Sequence, residues 1–184
     1  DGADMLALPE AAGLMQRDRD RAREIVTGEA ADPFLAACRE AAVVNGLWVQ
    51  VGSTPIRAED GRFLNHAVLI SPDGNVSARY DKIHLFDVFL DGREPTGESR
   101  RYAPGDRAVL VKTLWGGMGL TVCYDLRFPQ LFRAYAQAGA RVIFVPSAFT
   151  VPTGAAHWEP LLRARAIENG VWIVAAAQVG NHAD

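Results

Sequence analysis

The chain has 184 residues, 49% of them hydrophobic, which is enough to fill one core and suits a single soluble domain. A net charge of −3 with no block of Lys or Arg argues against nucleic acid or an anionic membrane surface as a partner, and no apolar run is long enough to span a bilayer. Two cysteines, Cys38 and Cys123, stand in unrelated contexts, which points to free thiols in a reducing, cytoplasmic compartment rather than to a disulfide framework.

The opening DGADMLALPE reads as a loop and then a strand at 5–8, stopped by Pro9 and followed directly by Glu10. This start, and the close on AAAQVGNHAD directly after a strand, both look cut, so a domain continuing past both ends is expected and targeting segments are outside this sequence. Pro33 opens a helix, PFLAACREAAVVNG, that Asn45 and Gly46 close. Runs of strand type follow at 47–52, 66–71 and 76–86, the last two joined by a hairpin signal at Asp73-Gly74. Within 76–86, Lys82 interrupts an apolar alternation that resumes through Ile83, Leu85 and Phe86.

A run at 108–111 precedes one at 119–124, which ends on Cys123 before a polar turn. Phe128, Leu131, Phe132 and Tyr135 then form the apolar stripe of a helix ended by Gly139. Gly116, Gly117 and Gly119 are no dinucleotide fingerprint, because they precede a strand instead of following one. Strands at 141–146 and 171–177 flank a third helix through HWEPLLRARAIEN, ended by Gly170. With no repeat or linker, one α/β domain over 1–184 is the economical reading.

Each chemically interesting residue has a plain alternative. A thiol at a strand end is usually a small hydrophobe. A Glu after Pro is commonly a solvated turn residue, and a Lys between apolar neighbours the outward half of an edge strand. Yet ligands of open α/β sheets bind beyond the carboxyl ends of strands, which makes Glu10 and Cys123 candidates to share a site that Lys82 joins. His66, His84, His157 and His182 show no metal-ligand spacing, so no metal or other cofactor is expected. His157, at the start of a helix, is either a cap or the partner a Cys–His hydrolase would need. Asp125 and Arg127 fit a mutual pair or a helix-end contact, and the planar fork of Arg127 also suits a substrate carboxylate.

LALPE, YDKIHLFDV, GES and VCYDLRFPQLFR, in that order, resemble the motifs of the carbon–nitrogen hydrolase (nitrilase) superfamily. The resemblance covers nearly the whole chain, and the segment from PSAFTVPTG to QVGNH is similar to the Nit branch, amidases of deaminated glutathione and of short ω-amides of keto acids. It implies an α-β-β-α four-layer sandwich that dimerises through its helical face, lacking here the first strand-helix unit and the C-terminal strands. It further implies catalytic roles for Glu10, Lys82 and Cys123, an auxiliary role for Glu98, and substrate contacts at Arg127, Phe149 and Thr150.

These residue types fit one chemistry. A following helix N-terminus and a nearby ammonium would favour a thiolate at Cys123. Glu10 would act as general base, while Lys82 and the Tyr124 backbone N–H would hold the oxyanion. The expected reaction is hydrolysis of a small carboxylate-bearing amide to acid and ammonia through a thioester. N-carbamoyl-amino-acid hydrolase and nitrilase activity are the nearest alternatives. A non-catalytic scaffold or binding fragment of the same fold is the alternative from another class.

Overall fold

The computed structural model describes residues 2–88 and 96–182. Its elements run β1 (Met5–Ala7), α1 (Arg19–Ile25), α2 (Pro33–Asn45), β2 (Trp48–Gln50), β3 (Thr54–Arg57), β4 (Phe63–Ile70), β5 (Val76–Asp81), β6 (Asp87–Val88), β7 (Thr96–Gly97), β8 (Val109–Thr113), β9 (Gly116–Leu120), α3 (Pro129–Gln137), β10 (Ala140–Phe144), α4 (Val151–Asn169) and β11 (Trp172–Val174).

Local chemistry explains the boundaries. Asp32 caps α2 by accepting from Leu35 N at 2.8 Å, Pro33 takes the first helical position, and Gly46 ends the helix with φ 62°. Asp73 and Gly74 make the β4–β5 turn, and Gly74 supplies φ 78°. Gly170 ends α4 in the left-handed region with φ 63°.

Two sheets form the middle layers. In the first, β1 pairs parallel with β2, and β4 pairs antiparallel with β2, β3 and β5. In the second, β9, β10 and β11 run parallel, with β8 antiparallel at the edge. Ala67, Leu69, Ala78 and Tyr80 of the first sheet meet Met118, Leu120 and Phe144 of the second in a shared core. On the outer face of the first sheet, α2 buries Leu35, Cys38 and Ala42 against Val49, Val68 and Ile70. On the outer face of the second, α3 lays Leu131, Phe132 and Tyr135 on Ile143 and Val145, with α4 packed alongside through Leu161 and Leu162. The result is the expected α-β-β-α sandwich, each fully buried aliphatic side chain contributing about 1.5–3 kcal/mol before entropy. Among the described residues no helix is long and apolar enough to cross a membrane.

Several boundaries differ from the sequence expectation. The run 76–86 leaves the sheet at Asp81, and the run 119–124 leaves it at Leu120, so Lys82 and Cys123 lie just beyond strands rather than within them. Gly116, Gly117 and Gly119 lie in β9 itself; a Cβ on Gly117 would stand 2.6 Å from the Gly139 carbonyl, so close backbone packing explains that glycine. α4 begins at Val151, six residues before His157, so His157 is neither a cap nor at a helix start. β3 went unread because Pro55 argues against a strand. It is tolerated because β3 is an edge strand paired with β4 alone, and the N–H two residues on, that of Arg57, points out of the sheet to Thr27 O, so Pro55 removes no ladder hydrogen bond.

Candidate active site

Glu10, Lys82 and Cys123 follow β1, β5 and β9, and the sandwich brings the three ends together at one mouth of the inter-sheet core. Lys82 continues the inward parity of Ala78 and Tyr80, which is why an ammonium ends up buried, 2% exposed, where an outward edge lysine was the plain alternative. Its Nζ donates to Glu10 Oε1 and to Glu98 Oε2, each at 2.9 Å. Glu98 also accepts from the Phe86 N–H at 2.7 Å. Asn65, on the inward face of β4, completes the ring: its Nδ2 donates to Glu10 Oε1 at 3.0 Å and to Glu98 Oε1 at 2.9 Å. An asparagine inside a strand carries no sequence signal of its own, and Asn65 escaped the sequence reading for that reason.

The loop carrying Glu10 is built for close approach. Gly52, at φ 75°, lies so near it that a Cβ there would stand 2.0 Å from the Pro9 carbonyl oxygen. Ser53 N donates to that same oxygen, Ser53 Oγ accepts from Ala11 N at 2.9 Å, and Gln178 Nε2 donates to the Glu10 carbonyl at 3.0 Å. Ala148 N donates to Glu10 Oε2 at 2.8 Å, tying in the segment after β10.

Cys123 opens a tight helical turn, Cys123–Arg127, with its own φ at 49°. Left-handed backbone at a residue bearing a Cβ costs on the order of 1 kcal/mol. Ala11, directly after Glu10, shares that conformation with φ 56°. Strain thus sits beside both groups, as it commonly does at functional positions. The Cys123 N–H donates to the Pro146 carbonyl at 2.8 Å, and the Glu10 carboxylate and Lys82 ammonium lie near enough to its side chain for both charges to act on the thiol.

The charges of the trio are set by one another. Burial pushes the Cys123 thiol well above its ordinary range, the Glu10 charge adds to this, and Lys82 opposes it. Burial also opposes a charged Glu10, but the Lys82 ammonium and the hydrogen bonds around the carboxyl outweigh it and hold Glu10 below the ordinary glutamate range. Lys82 is likewise held well above its ordinary range: burial works against the charge, and Glu10, Cys123 and Glu98 overcome it. The resting arrangement is therefore carboxylate, ammonium and neutral thiol. Desolvation of the sulfur outweighs the help expected from the nearby ammonium, which leaves proton removal to the expected base, Glu10. Glu10, the carboxylate whose charge acts on the thiol, is the base beside it.

Cys123, Glu10, Lys82 and Glu98 open onto a cavity of about 300 Å³, with Tyr124, Phe149 and Thr150 in its wall together with Arg101 and Tyr102. Arg127 stands behind that wall instead of in it. Its guanidinium lies 5.8 Å and 5.9 Å from the Tyr124 and Phe149 ring centres, and Nη2 meets His157 Nδ1 at 3.2 Å. Among the described residues it forms no pair with Asp125, whose carboxylate makes the helix-end contact instead by accepting from Val122 N at 2.8 Å. Arg101 is held by the Gln16 and Arg17 carbonyls, at 3.3 and 2.7 Å, and among the described residues no carboxylate lies within ion-pair distance of it. His157, bonded to Arg127 within α4, is no partner of the thiol.

A four-layer sandwich with a buried thiol, carboxylate and ammonium at the carboxyl ends of its strands defines a class of hydrolase-like folds, and comparison with known proteins places the chain within it. The Carbon-nitrogen hydrolase family model matches residues 1–184, and the chain belongs to that family. It is 50% identical over 153 residues to a deaminated glutathione amidase of Yersinia enterocolitica, covering 82% of this chain and 54% of that protein. With the Homo sapiens protein of the same name it shares 42% over 189 residues, 98% of this chain and 57% of the other. The chain thus spans just over half the length of these relatives. Among solved structures, the C. elegans NitFhit protein superposes with a TM-score of 0.90 at 36% identity, over 98% of this chain and 44% of that one. An amidase from Nesterenkonia sp. AN1, solved with acrylamide added at its active site cysteine, gives 0.76 at 28% identity over 97% of this chain and 66% of that one.

Proposed function

We propose that the protein hydrolyses a small carboxylate-bearing amide to the acid and ammonia, through a thioester on Cys123. One observation carries this reading: Cys123 and Glu10 are buried side by side in one cavity wall, and the Glu10 carboxylate accepts from the buried Lys82 ammonium at 2.9 Å. The relatives' name, deaminated glutathione amidase, supports the amide bond as target.

In this mechanism Glu10 takes the thiol proton as sulfur attacks the amide carbon, and the S–C bond forms. Negative charge then builds on the amide oxygen, where the Lys82 ammonium and the Tyr124 N–H receive it, a contact worth roughly 3–4 kcal/mol in barrier height. The C–N bond breaks as Glu10 returns its proton to the departing ammonia. Water, activated by Glu10, cleaves the thioester, releases the acid and restores the thiol. Glu98 and Asn65 hold Lys82 and Glu10 in place rather than moving protons. A carboxylate on the substrate is supported by Arg101 in the wall, and Arg127 contributes from behind the aromatic rings. The same reading takes the assembly to be a homodimer through its helical face, on which α4 leaves Ile167 exposed.

The test is ammonia release from glutaramate, pentanamide, N-carbamoylalanine and butyronitrile. Glutaramate should be turned over fastest. Preference for the carbamoyl compound or the nitrile would move the assignment to another branch, and no turnover of any would favour a non-catalytic fragment.

A further inference from the structure

Asp125 is fully buried, and the mechanism above gives it nothing to do. Both of its oxygens are nevertheless occupied twice. Oδ2 accepts from the Val122 N–H at 2.8 Å and from the Tyr80 hydroxyl at 2.7 Å. Oδ1 accepts from the His84 N–H at 3.1 Å and meets the His84 ring Nδ1 at 2.7 Å, which must carry the proton to face a carboxylate. The His84 ring is fixed from its other side by stacking on Phe128, with centres 3.5 Å apart and planes within 11°.

The positions of these donors matter more than their number. Val122 immediately precedes Cys123, while Tyr80 and His84 stand two residues before and two residues after Lys82. A single carboxylate therefore ties the Tyr80 side chain and the His84 backbone and ring, on the two sides of the lysine, to the start of the turn that presents the thiol. In that turn Cys123, like Ala11, adopts left-handed backbone without being glycine, a conformation that persists only when its surroundings over-determine it. We propose that Asp125, with His84 and Tyr80, is a positioning unit that sets the Cys123 turn relative to the Lys82 segment. It touches no substrate and transfers no proton. The inference rests on Cys123 being the nucleophile of the proposed reaction.

The experiment compares His84→Ala, His84→Asn and Asp125→Asn in the full chain. Three quantities are read: the rate of Cys123 alkylation by iodoacetamide, resolved from Cys38 by peptide mass spectrometry; kcat and KM for glutaramate; and the midpoint of thermal unfolding. His84→Ala should slow alkylation and lower kcat by about tenfold or more, with KM within about threefold, since misplacing a reacting group by a fraction of its contact distance lowers rate before binding. His84→Asn should recover most of that loss, because its Nδ2 places a donor where the ring Nδ1 was. Asp125→Asn turns one acceptor oxygen into a donor and should be worse than His84→Ala. Wild-type alkylation and kcat in His84→Ala would overturn the proposal. So would a His84→Asn no better than His84→Ala with losses that follow unfolding temperature, the mark of packing alone. Should Asp125→Asn fail to fold, the two His84 variants decide. Should wild type hydrolyse no amide, the functional reading fails while the alkylation rates still judge this one.

Discussion

Replacing Glu98 by Gln removes one charge from the site and leaves its shape. Glu98 now accepts three hydrogen bonds, from Lys82 Nζ, Phe86 N and Asn65 Nδ2, at 2.9, 2.7 and 2.9 Å. A glutamine has one oxygen to offer, so its NH2 must face either Lys82 and Phe86 or Asn65, donors in both cases. Asn65 cannot turn its own oxygen towards the intruder without also presenting it to Glu10, which shares the same Nδ2. At least one hydrogen bond to a charged group is lost, about 1.5–3 kcal/mol. At about 2–4 °C per kcal/mol for a chain of this size, the unfolding midpoint should fall by roughly 3–12 °C. Lys82 loses one of two anchors, so kcat should drop by about 10²-fold with little change in KM, as expected for a misplaced transition-state donor. Glu10 keeps Lys82 to itself, so the acid limb of the pH profile should stay where it is. Steady-state kinetics on glutaramate between pH 4 and 10, taken with calorimetry, is the assay. If Glu98→Gln were as dead as Glu10→Gln and the acid limb vanished, Glu98 would be the base and the assignment of roles would be wrong. Wild-type kinetics would remove Glu98 from the machinery.

Three further outcomes follow from the same geometry. Activity in wild type should be flat across neutral pH, its acid limb below the ordinary glutamate value of about 4.3 and its alkaline limb above the ordinary lysine value of about 10.4, because Glu10 is held down and Lys82 up. The corresponding stability from Glu10 is present above that acid value and lost as pH falls through its lowered one; that from Lys82 is present below the alkaline value and lost as pH rises through its raised one, so a limb near neutrality would contradict both. Gly52→Ala should destabilise by about 3 kcal/mol or more and impair turnover, since a Cβ 2.0 Å from the Pro9 carbonyl at φ 75° displaces the Glu10 loop, and denaturant melts will show whether it does. Arg101→Gln should raise KM for glutaramate by about tenfold or more while leaving pentanamide unaffected, as loss of a charged contact predicts; equal effects on both would deny it a substrate carboxylate.

What the sequence made legible follows from how each signal is stored. Glu10, Lys82, Cys123 and Glu98 lie in short contiguous motifs, and strand ends can be placed from Pro9 and from the polar break after Cys123. The α2 and α3 helices announce themselves through caps and apolar stripes. Asn65 and the Asp125–His84–Tyr80 cluster are different: their meaning lies in partners 33 to 55 residues away for Asn65 and 41 to 45 away for Asp125, which no local periodicity records. Arg127 was read as a carboxylate contact because it follows the nucleophile closely in sequence, and the fold sets it behind the Tyr124 and Phe149 rings; Arg101, which lines the cavity, carries no local signal of that kind. The strength of burial acting on the thiol is likewise absent from local sequence, since it depends on the whole sandwich and not on the neighbouring lysine alone.

The central claim, a thioester on Cys123, is tested most directly by ammonia release from glutaramate by Cys123→Ala and Cys38→Ala beside the wild type, with circular dichroism as the check on folding. Both thiols are buried, and Cys38 is pushed up to about 11 by burial and by Asp32, but Cys123 alone of the two lies in the cavity wall with Glu10 and Lys82. Cys123→Ala should fold normally and lose activity by about 10³-fold or more, as expected when a covalent nucleophile is removed, and Cys38→Ala should stay within about twofold of wild type. Activity retained in Cys123→Ala, or equal losses in the two variants, would contradict the account.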